Sequence, residues 1–323
     1  MSVKSDLLPL LRKCGGEFLS GEEAARMLGV SRSAVCKAVM SLRNDGFAIE
    51  AVTNKGYRLS AESDLIVGND IAALLADEPY HTEITVLKTA ESTNTVLKGL
   101  AAGGKPEGTV LFALEQTAGK GRFTRSFVSP ADSGIYMSLL LRPKLLTGDA
   151  VHITTAAAAA VCEAIEYLSG KKAEIKWVND VLLNGRKVCG ILTEASVDIE
   201  SGGLDYAVLG IGLNVYEPPG GFPEEIESIA GAVFPEKQAG LKNRLAAEII
   251  KRFMKYYLSL SDKTYINSYR SHCIVPGRRI TVLKNGGAYP ALALGIDEDC
   301  RLLVRYDGGG EEALSSGEIS IKL

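Results

Sequence analysis

The chain has 323 residues, of which 46% are hydrophobic and 23% charged, with a net charge of −3 at pH 7. This length and composition predict a globular protein of two or three domains and exclude a protein whose whole surface binds nucleic acid. The longest apolar stretch, 154–168, is interrupted by Glu163 and Glu166, and the N-terminus lacks the layout of a signal peptide. We therefore expect a cytoplasmic protein without a membrane span.

The six cysteines and three histidines are scattered along the chain. No CxxC pair occurs, and the histidines are His81, His152 and His272. The sequence therefore indicates neither a zinc site nor a disulfide framework.

Two short helices are predicted near the N-terminus. Ser20 begins a capping-box pattern ahead of a helix that continues through Leu28. Ser31 caps a second helix, which Gly46 terminates. Two short helices joined by so brief a turn predict a helix-turn-helix.

A strand at 47–52, a turn at 53–56 and a strand at 57–59 follow, and they predict the wing of a winged helix. The charged residues of this region are Arg32, Lys37, Arg43, Lys55 and Arg58 against Asp45 and Glu50. A local positive charge is what phosphate contact needs. We predict that DNA is contacted by Ser31, Arg32, Ser33, Lys37, Lys55 and Arg58. A small helical domain with solvated arginines, or a protein-docking module, remains the alternative.

From about residue 65 the pattern changes to longer mixed elements. Strands are predicted at 84–88, 109–115, 134–141, 174–177, 181–183, 187–195 and 206–214, with an alanine-rich helix over 149–168. This order predicts an α/β layer with a mixed sheet. Asn184-Gly185 predicts a two-residue hairpin turn.

Four motifs in this region contain residues suited to ligand binding. They are ESTN (91–94), EQTAGKGRFTRSF (115–127), KWVND (176–180) followed by RKVCGILTE (186–194), and GIGLN (210–214). Glycines allow a ligand to approach the backbone, and cations neutralise phosphate. Each motif also has an ordinary explanation: a helix cap, a solvated turn, a buried tryptophan beside a polar turn, and a strand with glycine bulges. The lysine-containing loop is not a Walker A loop.

The fixed order and spacing of these motifs resemble the signature of biotin protein ligases: STN, EQTxGxGR, KWxND with a downstream lysine and glycine, and GxGxN. Over nearly its whole length the chain is similar to the bifunctional family of biotin ligases that repress the biotin operon. The resemblance implies an α+β protein with three parts. They are an N-terminal winged helix-turn-helix (1–64), a central α/β biotin-ligase domain with a mixed sheet of class II synthetase type (65–272), and a small SH3-like β barrel (273–323).

The resemblance also implies roles for the matching residues. Biotin would be bound by Ser92, Thr93, Asn94, Gln116, Gly119, Lys120, Gly121, Arg122, Lys187, Gly190 and Gly210. The nucleotide would be bound by Lys120, Arg122, Arg125, Phe127, Asn179, Asp180, Lys187 and Asn214. Lys187 and Arg122 would be the catalytic residues. Mg²⁺ would be held through phosphates, with Asp180 as a candidate ligand.

The implied reaction activates biotin with ATP to biotinyl-5′-AMP and transfers biotin to a lysine of the biotin carboxyl carrier protein of acetyl-CoA carboxylase or a similar carboxylase. A carboxylate and a phosphate held about 4 Å apart repel by about 4 kcal/mol at an effective dielectric constant of about 20, which cations must offset. The family also represses genes for biotin synthesis or uptake, with the adenylate as corepressor and a homodimer on operator DNA.

Several residues differ from the family pattern. They are Lys120 in place of arginine, Phe127 in place of tryptophan, Val178 in place of proline, and Phe123, Thr124 and Ser126 in place of a more basic continuation with glycine. A lipoate-type protein ligase and a ligand-sensing repressor without catalysis remain the alternatives.

The C-terminal tail has short predicted strands. They lie at 278–283, 289–296, 301–306 and 313–322, separated by turns at Asn285-Gly286, 297–299 and 308–310. This spacing predicts a small antiparallel barrel of SH3-like type. By resemblance, the module would help to engage ATP or the carrier protein.

Overall fold

The computed structural model describes residues 2–44, 46–60, 63–123, 125–198, 202–284 and 286–321. They form two compact units, one of residues 1–66 with 236–243 and the other of 67–235 with 244–323. Four residues used in the sequence analysis, Asp45, Thr124, Asn285 and Lys322, lie outside the described residues. The division into 1–64, 65–272 and 273–323 stays a prediction.

The first unit contains the predicted pair of helices and the hairpin. Its elements are α1 (Val3–Lys13), α2 (Gly21–Leu28), α3 (Arg32–Asn44), β1 (Ile49–Val52) and β2 (Gly56–Leu59). The Ser20 hydroxyl accepts a hydrogen bond from the Glu23 N–H at 3.0 Å, and the Ser31 hydroxyl accepts one from the Ala34 N–H at 3.2 Å. Both predicted caps are therefore confirmed, while α1 was not predicted.

The hairpin of this unit is attached to the segment that precedes α2. Leu19 and Tyr57 exchange backbone hydrogen bonds of 2.8 Å in both directions. At Gly56, with φ +107°, a Cβ would lie 2.1 Å from the Leu19 carbonyl oxygen. Glycine is required there both for the backbone conformation and for the close approach.

The segment 236–243 belongs to this unit through a buried carboxylate. Both oxygens of Asp64 accept hydrogen bonds from the backbone N–H of Lys242, each at 3.1 Å. The Asn243 side chain donates to the Leu65 carbonyl at 2.8 Å.

The second unit contains the remaining elements. They are α4 (Gly68–Leu74), β3 (Glu83–Leu87), α5 (Thr93–Ala102), β4 (Thr109–Ala113), β5 (Gly134–Leu141), α6 (Ala150–Ser169), β6 (Glu174–Lys176), β7 (Asp180–Leu183), β8 (Arg186–Val197), β9 (Leu204–Asn214), α7 (Glu224–Glu227), α8 (Leu241–Tyr257), whose first three residues belong to the first unit, α9 (Ile266–His272), β10 (Arg279–Lys284), β11 (Gly287–Ile296), β12 (Leu302–Tyr306), β13 (Glu311–Leu314) and β14 (Glu318–Ile321).

A seven-stranded sheet in the order β3-β4-β5-β9-β8-β7-β6 forms the centre of this unit. The β3–β4 pair is parallel and the other pairs are antiparallel, so the predicted mixed sheet is confirmed. All residues of β5 are buried, so neither face of this strand is open to solvent.

Helix α6 supplies much of the core. The segment Thr147–Ser169 has the length and mean hydropathy of a membrane span. The prediction that Glu163 and Glu166 make this stretch too polar for such a span was therefore wrong. However, 67% of its most apolar window is buried inside the protein. It is therefore a core helix, and its alanines allow close packing against the sheet.

The C-terminal residues form an antiparallel five-stranded sheet in the order β13-β12-β11-β10-β14, which confirms the predicted β module. The prediction of one strand over 313–322 was wrong. Residues 315–317 interrupt it, with Gly317 at φ +136°, and β13 and β14 pair with different strands. The Trp177 indole N–H donates to the Cys300 carbonyl at 3.0 Å, which fastens this sheet to the KWVND motif.

Candidate active site

The loop that follows β4 folds back on itself. The Gly121 N–H donates to the Arg125 carbonyl at 2.7 Å. A Cβ on Gly119 would lie 2.3 Å from the Phe127 carbonyl oxygen. Gly119 therefore makes room for the loop's own backbone, which brings the cations of the loop to one side of a cavity.

The ESTN motif begins α5 inside a buried hydrogen-bond network. The N–H and the hydroxyl of Thr93 lie 2.8 and 3.1 Å from Oε1 of Gln116. The Gln116 amide donates to the Ser129 hydroxyl at 2.8 Å. Ser138 of β5, which sequence reasoning missed, places its Oγ 2.7 Å from Thr93 Oγ1 and 2.6 Å from Asn94 Oδ1. These contacts fix a neutral polar wall.

Asn94 connects this wall to an ion pair. Its amide donates to Glu194 Oε2 at 2.9 Å and to the Leu192 carbonyl at 3.2 Å, and Lys98 Nζ lies 2.5 Å from the other Glu194 oxygen. Burial raises the pKa of Glu194, but the hydrogen bonds from Lys98 and Asn94 and the charges of Lys98 and Lys120 outweigh it and hold that pKa below its ordinary value. Glu194 therefore stays ionised and orients Asn94.

Three glycines of β8 and β9 make room for side chains. A Cβ on Gly212 would lie 2.5 Å from the Phe127 ring, and one on Gly190 would lie 3.3 Å from it. A Cβ on Gly210 would lie 2.2 Å from Asn94 Oδ1. These protein contacts explain why glycine is needed at the three positions even without a ligand. Contact of Gly190 and Gly210 with biotin stays a prediction.

The β7–β8 hairpin positions the predicted catalytic lysine. Asn184 and Gly185 have φ values of +53° and +75°, as a two-residue hairpin turn requires, so the predicted turn is confirmed. Lys187 Nζ lies 2.6 Å from Asp180 Oδ1, with side chains 35% and 24% exposed. Solvent weakens such a pair, so the ammonium group can exchange its partner for a substrate oxygen.

Arg122 joins three parts of the unit. Its guanidinium donates to Asn179 Oδ1 and to the Gly317 carbonyl, both at 3.1 Å, and lies 4.8 Å from the Phe123 ring centre. The cationic loop, the KWVND motif and the β13–β14 turn therefore meet at this residue. Arg122 and Lys187 both line the same cavity.

Most of the predicted ligand-binding residues line this cavity: Ser92, Thr93, Asn94, Gln116, Lys120, Gly121, Arg122, Arg125, Phe127, Asn179, Asp180, Lys187, Gly190 and Gly210. Two predicted ligand-binding residues, Gly119 and Asn214, do not line the cavity in the described part of the chain. Asn214 instead donates from its amide to the Gly231 carbonyl at 3.1 Å, and its contact with the nucleotide stays a prediction.

Other lining residues were missed: Phe123, Ser126, Met137, Lys176, Trp177, Ile191, Leu192, Ile211, Gly212, Gly317 and Ile319. Eight of them, Lys176 included, lie inside the four motifs without a predicted ligand contact, whereas Met137, Gly317 and Ile319 lie outside the motifs. Nothing in the sequence indicates that Gly317 lies beside residues almost two hundred positions earlier.

The donor set suits a magnesium ion bound mainly by substrate. Within the described part of the chain, no three His, Cys, Asp or Glu side chains are grouped to hold a metal ion. Asp180 is a single carboxylate at the cavity, and Mg²⁺ in nucleotide sites is often held by one or two carboxylates together with phosphates.

In the first unit, the predicted DNA-contact residues lie at the start of α3, along this helix and on the hairpin. Ser31, Arg32, Ser33, Lys37 and Lys55 are exposed. Arg58 is only half-exposed: it pairs with Glu50 at 2.6 Å and lies 4.6 Å from the Phe18 ring centre. Lys55 lies over the same ring at 6.0 Å.

Comparison with known proteins agrees with this architecture. Family models match at residues 3–58 (HTH domain), 86–214 (Biotin/lipoate A/B protein ligase family) and 276–322 (Biotin protein ligase C terminal domain). The solved structure of biotin protein ligase from Aquifex aeolicus in complex with biotin and ATP covers 75% of this chain and 99% of its own, with a TM-score of 0.62 and 26% identity. Fold and site thus define a biotin protein ligase that carries a helix-turn-helix domain.

Two curated relatives narrow the class. The bifunctional ligase/repressor BirA of Bacillus subtilis is 33% identical over 98% of each chain. The biotin--[acetyl-CoA-carboxylase] ligase of Mycobacterium tuberculosis is 29% identical over 73% of this chain and 88% of its own. The chain belongs to the family of bifunctional biotin ligase/repressors, and it combines ligase and repressor roles.

Proposed function

We propose that the cavity binds biotin and ATP side by side, forms biotinyl-5′-AMP, and passes biotin to a lysine of a biotin carboxyl carrier protein. The observation that carries this proposal is that Arg122 and Lys187 line one cavity together with Thr93, Asn94 and Gln116, which belong to a neutral hydrogen-bond network. Such a cavity offers neutral hydrogen-bonding groups for a polar ring and cations for anions.

The neutral wall suits the ureido ring of biotin. Thr93 and Gln116 supply hydroxyl and amide groups that the network already orients, so binding costs little additional ordering. Met137, Ile211 and Phe127 supply apolar surface for the ring and the valeryl chain. Ser92 is buried at the same wall.

In the first step a biotin carboxylate oxygen attacks the α-phosphorus of ATP. A bond forms between them, the bond from the α-phosphorus to the bridging oxygen breaks, and pyrophosphate leaves. Lys187 on β8 and three cations of the loop after β4, Lys120, Arg122 and Arg125, offset the repulsion between the two anions. They do so by positioning the reactants and by electrostatic stabilisation.

Binding of ATP would redistribute the contacts of Lys187. Its ammonium group would leave Asp180 for the carboxylate and α-phosphate oxygens, which frees the Asp180 carboxylate. The Asp180 carboxylate would then be able to hold Mg²⁺, which would supply positive charge for the pyrophosphate leaving group.

In the second step the neutral amine of a carrier lysine attacks the adenylate carbonyl, loses a proton, and expels AMP. No covalent bond to the enzyme is needed. A carrier of the acetyl-CoA carboxylase type is supported by the name of the Mycobacterium tuberculosis relative.

The first unit would bind operator DNA upstream of biotin synthesis or uptake genes. We propose that the adenylate is the corepressor, that the repressor is a homodimer when the adenylate is bound, and that the protein acts in the cytoplasm. The exposed basic residues around α3 support contact with phosphate.

Biotin and lipoate are compared directly as substrates for ATP/pyrophosphate exchange by the full chain. We expect exchange with biotin alone, followed by labelling of a biotin carboxyl carrier domain. Exchange with lipoate alone would favour a lipoate-type ligase, and exchange with neither would leave a ligand-sensing repressor.

A further inference from the structure

The recognition helix α3 has an inner and an outer face. Its buried residues are Val35, Ala38, Val39 and Leu42. At 100° per residue, the opposite face carries the residues at positions 33, 37, 40 and 44. All four are exposed, and we name Ser33, Lys37, Met40 and Asn44 the outer stripe.

One flank of α3 is occupied by the hairpin. The Arg43 guanidinium donates to the Ile49 carbonyl at 2.8 and 2.6 Å. Burial raises the pKa of Tyr57, and a hydrogen bond between Tyr57 and Cys36 raises it further, so Cys36 faces the hairpin. The outer stripe lies between this flank and the opposite one, and it runs along the helix that a helix-turn-helix places in the major groove.

Met40 is the apolar member of the outer stripe, and it is 59% exposed. A single exposed methionine is unremarkable elsewhere on a protein, so its position matters more than its exposure. Ser33, Lys37 and Asn44 offer hydrogen bonds to bases or phosphates, whereas Met40 offers none. The major groove presents one apolar group to such a residue, the C5 methyl of thymine.

We propose that Met40 reads a thymine by contact with its C5 methyl group in the major groove of the operator. The proposal rests on the DNA-binding role proposed above and adds a determinant of base preference. Lys37, one turn before Met40, and Lys55 on the hairpin hold the helix to the phosphates, which fixes the depth at which the thioether meets the base edge.

The first experiment selects duplexes from a library with a randomised central segment, using the full chain with biotin, ATP and Mg²⁺. The wild type should enrich a thymine at one position of each half-site. Met40→Ala should lose that preference while retaining other positions, and Met40→Leu should keep most of it. Met27→Ala is the matched control, since Met27 is 55% exposed on α2, outside the outer stripe.

The second experiment replaces that thymine with deoxyuridine, which lacks only the methyl group. Burying one methyl group contributes enough to predict about fourfold weaker binding by the wild type. Met40→Ala should bind the thymine duplex about as weakly and should show no further loss with deoxyuridine. Biotinylation of a carrier domain should be unchanged by Met40→Ala.

Different failures have different meanings. If the wild type selects no duplex at low salt, the DNA-binding role itself fails, and the inference fails with it. If it selects duplexes but deoxyuridine has no effect, or if Met40→Ala remains fully sensitive to deoxyuridine, only the reading of thymine by Met40 is overturned.

Discussion

The active-site cavity and the outer stripe of the recognition helix hold their functional side chains in opposite ways. In the cavity, Lys187 is paired with Asp180, Arg122 bridges Asn179 and Gly317, and Asn94 is fixed by hydrogen bonds. On the outer stripe, by contrast, Lys37 and Met40 are exposed on a helix whose opposite face is packed.

This difference follows from what each region must bind. Adenylate formation needs charges held at fixed positions before the reaction, because stabilisation of the transition state depends on preorganised groups. Reading DNA needs side chains that settle into a groove whose surface supplies the partners. Substitutions in the cavity should therefore disturb a network, and substitutions on the outer stripe should remove single contacts.

The largest effect is expected from Lys187→Ala. Loss of a preorganised cation beside the reacting oxygens should slow biotin-dependent ATP/pyrophosphate exchange at least about a hundredfold. The melting temperature should change little, since Lys187 has one solvent-screened partner. Lys172→Ala, at an exposed lysine outside the cavity, is the control. Exchange at the wild-type rate would remove Lys187 from the mechanism.

Arg122→Gly should release the adenylate from the cavity. The side chain makes two hydrogen bonds to other parts of the unit, and their loss should speed adenylate release by about tenfold to a hundredfold. Released adenylate would label bystander lysines, which mass spectrometry of added serum albumin would detect. The rate of adenylate release from Arg122→Lys should lie between the rates for the wild type and Arg122→Gly, because lysine keeps the charge without the paired donors. Albumin that stays unlabelled would contradict this role.

Gly212→Ala tests the fit of Phe127 against the sheet. The added methyl group would lie 2.5 Å from the ring, so overpacking should destabilise the protein by about 2 kcal/mol in urea unfolding. Gly295→Ala, on another strand with open space around it, should cost much less. In a Phe127→Ala background the penalty should nearly vanish. An undiminished penalty there would show that the ring is not the obstacle.

Lys37→Ala should weaken DNA binding equally for all duplex sequences. Removing one phosphate contact should lower the slope of log affinity against log salt by about 0.9 and the affinity by about fivefold near physiological salt. Lys13→Ala, at the end of α1, is the control. Fluorescence anisotropy over a salt series measures both quantities, and an effect restricted to one sequence would indicate base contact instead.

The smallest effect is expected from Glu194→Gln, and it depends on pH. Because the pKa of Glu194 is lowered on folding, its carboxylate stabilises the fold above its ordinary value of 4.5, and this contribution is lost as the pH falls through the lowered pKa. At neutral pH the variant should be less stable by about 1 kcal/mol, since the pair with Lys98 is partly solvent-screened. Urea unfolding should show this difference shrinking at acidic pH. A difference independent of pH would mean that the charge of Glu194 is not its source.

The helix-turn-helix illustrates what could be predicted from sequence. Ser20 and Ser31 both cap helices as expected, because a cap depends on residues within one turn. The Asn184-Gly185 turn succeeded for the same reason. The single strand predicted over 313–322 failed, since only pairing with β12 and β10 places β13 and β14 on different sides of the module.

Local sequence therefore determined the caps, the hairpins and the motifs that supply the chemistry, because each of these depends on neighbours along the chain. Tertiary structure alone decided that Gly210 and Gly212 make room for Asn94 and Phe127, that Ser138 completes the neutral wall, and that Gly317 meets Arg122. Those contacts join residues far apart in sequence: the first three arise only when the central sheet assembles, and the last only when the C-terminal strands pack beside it.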